Sequence, residues 1–521
     1  MSALNLVTDA WIPVRTTGGE RRTIRPDQIA EPGVARPDWP RADFNLATYE
    51  LLIGLVHLAD PPGNERDWSK RRAPDPERLG ERMAPFAPAF ELDGDGPRFL
   101  QDLKELDGKP SEVDLLFIDS AGESTAKKNA DLMVRRERYG ALSLPEAAMS
   151  LYTLQSQAPS GGAGNRTSMR GGGPLVTLVE PRPEPAADAP LWDMVWANVP
   201  DGEKLPENAL DAFAWMRPTV TSEKGNAVHE TDRDRARAEA FFGMPRRLRL
   251  VFSDGEPRQV IGVRQRPFGT NYGLWQHPLT PYYRQKAGAE ALPVHPRPGI
   301  DSYRNWTGIA FMTREGLREV ASTVAAWGRR NNPPRPCALH LGGWAMDNMK
   351  PRDFLWSRQP LFPLDEKGGE AAAKLVEAAN AFALALSGAL RDVTGADAPD
   401  ASAIEPLREA FYARTQDDFE TILDRLAKGE TLLRDDAGDV EPLGIAEDWR
   451  RTLRSVGLSI FDSAALPGLD ARGTRDIERI VAARGRLLAT FAGHGDRTGK
   501  VAFNALGLPL PSRRNSAREA A

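Results

Sequence analysis

The sequence predicts an α+β chain: a large mixed N-terminal domain of short strands and long loops over residues 1–366, then a C-terminal antiparallel four-helix bundle over 367–508 and a disordered tail over 509–521. Two observations predict it. Up to about Asp365 the chain is rich in proline, tryptophan and short β-branched segments, the texture of short strands joined by loops. After Gly368 it changes to long runs with apolar residues every three or four positions, the period of amphipathic helices.

In order along the first part, Leu46–Ala59 reads as a buried helix, and Pro174–Val179, Leu248–Phe252 and Gln259–Val263 read as strands. Thr313–Trp327 reads as a second helix. In the second part four stripes recur: Leu375, Ala379, Phe382, Leu386 and Ala389; Leu407, Phe411, Phe419, Ile422 and Leu426; Ile445, Trp449, Leu453, Val456 and Ile460; and Ile477, Val481, Leu488 and Phe491. Four helices with short connections make a bundle whose core is the aromatic set Phe382, Phe411, Phe419, Trp449 and Phe491. The tail PSRRNSAREAA has too little apolar surface to fold.

Composition narrows the function. The 521 residues are 41% hydrophobic and 27% charged, ordinary values for a globular protein with ample core. Cys337 is the only cysteine, which excludes an internal disulfide and a cysteine zinc cluster. The N-terminus MSALNLVTDAWIPV carries Asp9 in its apolar stretch and has no basic n-region, unlike a signal peptide. No uncharged apolar run reaches membrane-spanning length, and Glu50 interrupts the best one, Leu46–Ala59. A cytoplasmic protein with no membrane contact is the expectation. The net charge of −5 argues against a generic nucleic-acid coat, so any nucleic-acid contact is local. The local basic clusters are Lys127 and Lys128; Arg135, Arg136 and Arg138; Arg264 and Arg266; and Arg329 and Arg330. Each alone reads as a solvated face.

No catalytic constellation emerges. The six histidines lack metal-ligand spacing, no G-x-S-x-G elbow occurs, and paired carboxylates such as Asp417 and Asp418 fall on helix surfaces. Neither a metal nor a cofactor is expected. The closest approach to a Walker A loop, GDRTGK at Gly495–Lys500, has glycine spacing short by one and Val501 in place of the magnesium-binding hydroxyl. This absence points to a binding protein.

Three segments are unusual enough to be contact surfaces. PSGGAGNRTSMRGGGP, Pro159–Pro174, has six glycines and two arginines, and ordering so bare a backbone costs entropy that something must offset. It reads as a flexible surface loop, as an anion cradle, or as a backbone blade for a narrow groove. A dinucleotide fingerprint starts at Gly162 and Gly164 but fails at Thr167. In GLWQHPLTPYYR, Trp275, Tyr282 and Tyr283 are either core or a stacking platform. In LGGWAMDNMK, Asp347, Asn348, Met349 and Lys350 fall in a turn after a double glycine.

Taken together, LVTDAWIPV, the QAPSGGAGNRTSMRGGGP loop followed by LVTLV, GLWQHPLTPYY, LGGW before a polar turn, and the C-terminal helices resemble the CasA family, the large subunits of the type I-E CRISPR surveillance complex Cascade. The order and spacing hold across essentially the whole chain. The resemblance implies a non-catalytic subunit that recognises the protospacer-adjacent motif (PAM) on double-stranded DNA, helps open the duplex and recruits the helicase-nuclease. Its implied partners are the backbone, handle-binding and small subunits, the guide crRNA and the target DNA. By resemblance, Ser160, Gly161, Gly162, Ala163 and Gly164 enter the minor groove at the PAM. Arg266, with Arg264 beside it, takes the place of a basic finger that is often lysine. Asp347, Asn348 and Met349, with Lys350 adjacent, match a wedge that splays the strands. Lys127, Lys128, Asn129, Arg135 and Arg136 match a loop near the guide RNA's 5′ handle. The chain departs from relatives that bind zinc ahead of the basic finger, because Phe241–Val263 contains no cysteine. A stand-alone enzyme holding a phosphorylated or nucleotide substrate on the glycine loop, and a protein-only scaffold, are the rival expectations.

Overall fold

A computed structural model describes residues 4–120, 127–128, 137–162, 164–181, 189–202, 213–232, 236–273, 275–298, 302–311, 316–330, 337–394, 401–433, 444–494 and 497–511. The chain divides into two compact units: Met1–Pro298 with Gly316–Arg358, and Gly299–Glu315 with Gln359–Ala521. Of the tail expected over 509–521, residues 512–521 lie outside the described residues.

The first unit is built on small sheets. Strands β1 (Ile12–Thr16), β2 (Arg21–Ile24) and β3 (Val34–Pro37) form one in the order β2-β1-β3. Helix α1 (Ala42–Ala59) follows, buried along almost its whole length because it is apolar on every side. Next come β4 (Leu142–Ser143), helix α2 (Leu144–Gln157) and β5 (Val176–Pro181). Strands β6 (Arg247–Phe252) and β7 (Gln259–Arg266) pair antiparallel from Arg247↔Arg266 onward, with a bulge between Val251 and Phe252, and β4 joins them in the order β4-β7-β6. The short strands β8 (Tyr282–Tyr283), β9 (Leu292–Pro293) and β10 (Arg318–Glu319) form a third sheet, and helix α3 (Ser322–Arg329) follows. Strands β11 (Cys337–Asp347) and β12 (Lys350–Pro360) complete the fourth, ordered β12-β11-β5, with β11 antiparallel to β5 from Cys337↔Pro181 to Gly342↔Val176. The core between these sheets is aromatic: Phe90, Phe99, Phe213, Trp215 and Phe242 meet edge to face or stacked, with centroids 5.3–6.4 Å apart for the pairs Phe90–Phe99 and Trp215–Phe242.

The α+β class and the three strands read from sequence are present, and one helix is shorter than expected. Gly316 takes φ 64°, which no right-handed helix allows, and Arg318–Glu319 pair with Tyr282–Tyr283 as β10. The helix expected over Thr313–Trp327 therefore begins only at Ser322; residues 312–315 lie outside the described residues.

In the second unit all four periodic runs are helices: α4 (Glu366–Thr394), α5 (Ala401–Ala427), α6 (Ile445–Ala465) and α7 (Thr474–Phe491). Phe382, Phe411, Phe419, Trp449 and Phe491 are completely buried among them. A fifth helix, α8 (Arg497–Leu506), also contributes to this core through Phe503 and Leu506. Its Gly499 looks like a break in sequence, but the bare Cα lets the helix approach α7: a Cβ there would lie 2.7 Å from the Thr490 carbonyl. The stripe expected on α7 is rotated. Ile480, Ala483, Leu487 and Phe491 face the core, and Ile477 and Val481 are exposed. The second unit also takes in a segment from earlier in the chain. Tyr303 stacks on Phe419 at 4.4 Å and Trp306 meets it edge-on at 6.1 Å, so residues 299–315 belong with the helices. Glu366–Val393 is long and apolar enough to cross a bilayer, but most of that segment is buried as the central helix of this core, which accounts for its composition.

Candidate nucleic-acid interface

The glycine loop runs from the end of α2 to β5. Helix α2 starts at a capping box: Ser143 Oγ accepts from the Glu146 amide, and the Ser143 amide donates to Glu146 Oε2 at 3.1 Å. Beyond Gln157 the loop folds on itself. The Gly161 amide donates to Asn165 O at 3.3 Å, the Asn165 amide to Gly162 O at 2.7 Å, and the Gly173 amide to Gln157 O at 3.1 Å. Gly162 and Gly164 take φ 66° and 79°. The space where a side chain on Gly162 would project is open, whereas a Cβ on Gly164 would lie 2.7 Å from the Phe268 amide nitrogen. One glycine therefore faces outward and the other faces the protein. Ala163 lies outside the described residues, and Ser160 is exposed beside Gly161.

Two buried arginines hold this loop, and sequence reasoning missed both. Arg170 donates to Glu50 Oε2 at 2.6 Å, to Ser156 O at 3.2 Å and to Thr280 Oγ1 at 3.2 Å, with both charged partners buried. Burial pushes the Glu50 carboxyl above its ordinary range, and the Arg170 charge opposes that shift. The signal was available: a lone glutamate in an apolar helix requires a cation. Arg246 lies under the loop tip and donates to Pro159 O. Its backbone is clamped by Gln155, and desolvation brings its guanidinium down to about 10.

The expected turn after LGGW is the tip of the β11–β12 hairpin. Asn348 and Met349 are its two connecting residues, at φ 48° and 62°, the pattern of a type I′ turn. Asp347, Asn348, Met349 and Lys350 are all exposed, and Arg352 pairs with Asp347 at 2.9 Å. Gly343 at φ 153° lets β11 pass the chain before β5, since a Cβ there would lie 2.4 Å from Pro174 O.

These elements meet. A Cβ on Gly172 would lie 3.1 Å from Met349 Sδ, and one on Gly173 2.4 Å from Trp344 O, so the foot of the glycine loop is seated on the hairpin. The two arginines matched to the basic finger both lie beside Gly108. Arg264 Nε donates to Gly108 O at 3.3 Å, and Arg266 lies over Gly108, with Nη1 3.2 Å from where a Cβ would stand. The residue that β7 delivers to the loop tip is Phe268, which is 41% exposed at φ 60°, with Gly269 N–H donating to Gly164 O at 3.3 Å.

The remaining candidates sort plainly. Trp275 and Tyr282 are core, joined by a Tyr282 hydroxyl bond to Trp275 O at 2.8 Å, and Tyr283 is 38% exposed. Lys127 and Lys128 are exposed, and Asn129, Arg135 and Arg136 lie outside the described residues. Arg138 is held bidentate by Asp119 at 2.9 and 3.0 Å. Arg330 is no solvated face: it is buried, donates to Val199 O at 2.8 Å and lies 4.2 Å over the Trp68 ring. Among the described residues no cluster of three or more histidine, cysteine or carboxylate side chains has metal-site geometry.

The family model of CRISPR-associated protein Cse1 matches residues 5–460. The chain belongs to the Cse1 family, the CasA large subunits of Cascade complexes. Among solved structures, CasA from Thermus thermophilus aligns at TM-score 0.71 with 18% identity over 94% of this chain and all of that one. Thermobifida fusca Cse1 aligns at 0.67 with 16% identity over 96% and 98% of the two chains. A chain of a CRISPR RNA-guided surveillance complex aligns at 0.65 with 16% identity over 94% of this chain and all of that one. The Cse1 fold is thus kept at an identity where few side chains coincide.

Proposed function

We propose that this Cse1 chain is the non-catalytic PAM reader of a type I-E Cascade complex, working in the cytoplasm with guide crRNA and the backbone, handle-binding and small subunits. The observation that carries the reading is the seating of the glycine loop on the hairpin tip, at Gly172 and Met349. A tip without side chains at Gly161 and Gly162 suits a minor groove about 6 Å wide, whose donor and acceptor pattern is degenerate. The exposed turn Asp347–Lys350 sits beside it, where it meets the first base step beyond the motif. Unstacking that step costs a few kcal/mol, which contacts to the bent DNA and the growing guide heteroduplex offset. The opened complex then recruits the helicase-nuclease, and the segment around Lys127 and Lys128 lies near the guide's handle.

The test is reconstitution with guide RNA and the other subunits, followed by binding to a library of duplexes randomised at the motif. The reading requires enrichment of a short motif adjoining the guide-matched sequence, lost when this chain is omitted. Equal enrichment without the chain would overturn it.

A further inference from the structure

A second feature of the hairpin lies away from its tip. Alternate residues of β12 share a face. On one face stand Lys350, Arg352, Phe354, Trp356 and Arg358, and on the other Leu355 and Gln359 are buried. Cations and aromatics therefore interleave along a strand at the end of its sheet, for a length of about 26 Å at 3.3 Å per residue. The pairing of Arg352 with Asp347 is exposed on both sides and easily exchanged for another anion.

This face leads to a cavity of about 260 Å³ lined by Arg36, Asn45, Tyr49, Glu180, His340 and Trp356. Two of its walls are rings: Trp356 lies 6.5 Å from Tyr49 and 5.9 Å from His340, centroid to centroid, and the residue is 38% exposed. The polar floor is fixed. Glu180 Oε2 accepts from Arg358 Nε at 2.7 Å and lies 2.9 Å from His340 Nε2. That leaves His340 Nδ1 buried with no protein partner. Arg36 is exposed at the rim and forms no ion pair among the described residues.

We propose that this face of β12 is a track for the single DNA strand displaced at the hairpin tip, and that the cavity beside Trp356 receives one of its bases. Phosphates follow Lys350, Arg352, Arg358 and Arg36, and bases stack on Phe354 and Trp356, the combination that single strands recognise without sequence preference. A base in the cavity has ring faces on its walls and a hydrogen-bonding partner in His340 Nδ1. The proposal rests on the reading that strands part at the tip. Its test is chosen to be independent of the motif.

The full-length chain is titrated with fluorescein-labelled oligo-dT, and the reconstituted complex with motif-bearing duplex. Trp356→Ala should weaken oligo-dT binding roughly 5- to 150-fold, the range for losing one stacked base. Trp356→Phe should restore most of it, and affinity for a motif-bearing duplex that the guide does not match, whose strands stay paired, should not change. Failure of the PAM reading would appear in the duplex titration of the wild type and leave the oligo-dT result standing. Oligo-dT affinity equal in wild type and a folded Trp356→Ala, or no oligo-dT binding by wild type, would overturn the track. Should the variant fail to fold, photo-crosslinking of wild type to an iodouracil-bearing strand decides the matter: adducts within Phe354–Arg358 support it, and adducts only elsewhere overturn it.

Discussion

Met349 at the hairpin tip and Gly172 at the foot of the glycine loop are in contact: a Cβ on Gly172 would lie 3.1 Å from the Met349 sulfur and 2.8 Å from Pro159 Cα. Two segments far apart in sequence thus lie side by side along one edge. The Pro159 side of the contact is backbone and fixed, whereas the Met349 side is a flexible, exposed side chain.

The two tip glycines should respond differently to substitution. At Gly162 the side-chain space is open but the backbone is left-handed, a conformation that asparagine tolerates. Gly162→Asn should leave the melting temperature unchanged and weaken motif-dependent duplex binding by roughly tenfold or more, as loss of a groove contact would. Gly164→Val should instead lower the melting temperature, since its Cβ would collide with the Phe268 amide. Normal duplex affinity in Gly162→Asn would return the loop to the status of a linker.

Met349 makes stability and function separable. A left-handed conformation costs a non-glycine residue about 1–2 kcal/mol, and Met349 holds φ 62°. Met349→Gly should therefore stabilise the hairpin, giving the Asn-Gly pair that type I′ turns favour. If the side chain opens the duplex, the same variant should slow R-loop formation on paired DNA. A duplex already mismatched next to the motif should restore its rate. An equal defect on both duplexes would make the residue an anchor and not a wedge.

How far the sequence carried these assignments depends on where the deciding contact lies. The turn at Asn348 and Met349 was legible because turn chemistry is local, and the core of the helical unit because its period is local. The rotation of α7, which exposes Val481, was not, since Ile477, Ile480, Val481 and Ala483 offer two apolar faces and only the neighbouring helices choose between them. Arg266 takes the finger's place only by resemblance to the family. Its position on Gly108, and the arrival of Phe268 at the loop tip instead, follow from tertiary pairing that no spacing reveals. Residues 299–315 joined the helices for a similar reason: Tyr303 and Trp306 look like any loop aromatics until Phe419 is beside them.

Arg266 offers a direct test of the finger assignment. As a phosphate contact, Arg266→Ala would flatten the slope of log K against log salt by about 0.9. As a cover for Gly108 it would lower the melting temperature and leave the slope alone. The geometry over Gly108 favours the second outcome, with Phe268→Ala then the variant that weakens duplex binding. A flattened slope in Arg266→Ala with unchanged stability would restore it as the finger.

The Glu50–Arg170 pair ties the glycine loop to α1, and its energetics follow from burial. Both side chains are almost completely out of solvent at an N–O distance of 2.6 Å, so removing one leaves the other charge unpaired. Arg170→Met should cost about 3–5 kcal/mol in urea unfolding at neutral pH. The Glu50 carboxyl is already raised by burial, and losing the opposing Arg170 charge raises it further. A group whose folded value lies above its unfolded one contributes stability below the unfolded value and loses it as pH rises through the folded value. The deficit of Arg170→Met relative to wild type should therefore shrink as pH falls toward the carboxyl's unfolded range, because its neutral glutamic acid no longer needs the cation. Glu50→Met combined with Arg170→Met should recover most of the stability at neutral pH, since a buried ion pair replaced by apolar groups is often neutral or better. Motif-dependent binding should not recover with it. Arg170 also holds Ser156 O and Thr280 Oγ1, and those bonds set the path of the loop on both sides of its tip. A double variant with full stability and full duplex affinity would show that the pair serves the fold alone.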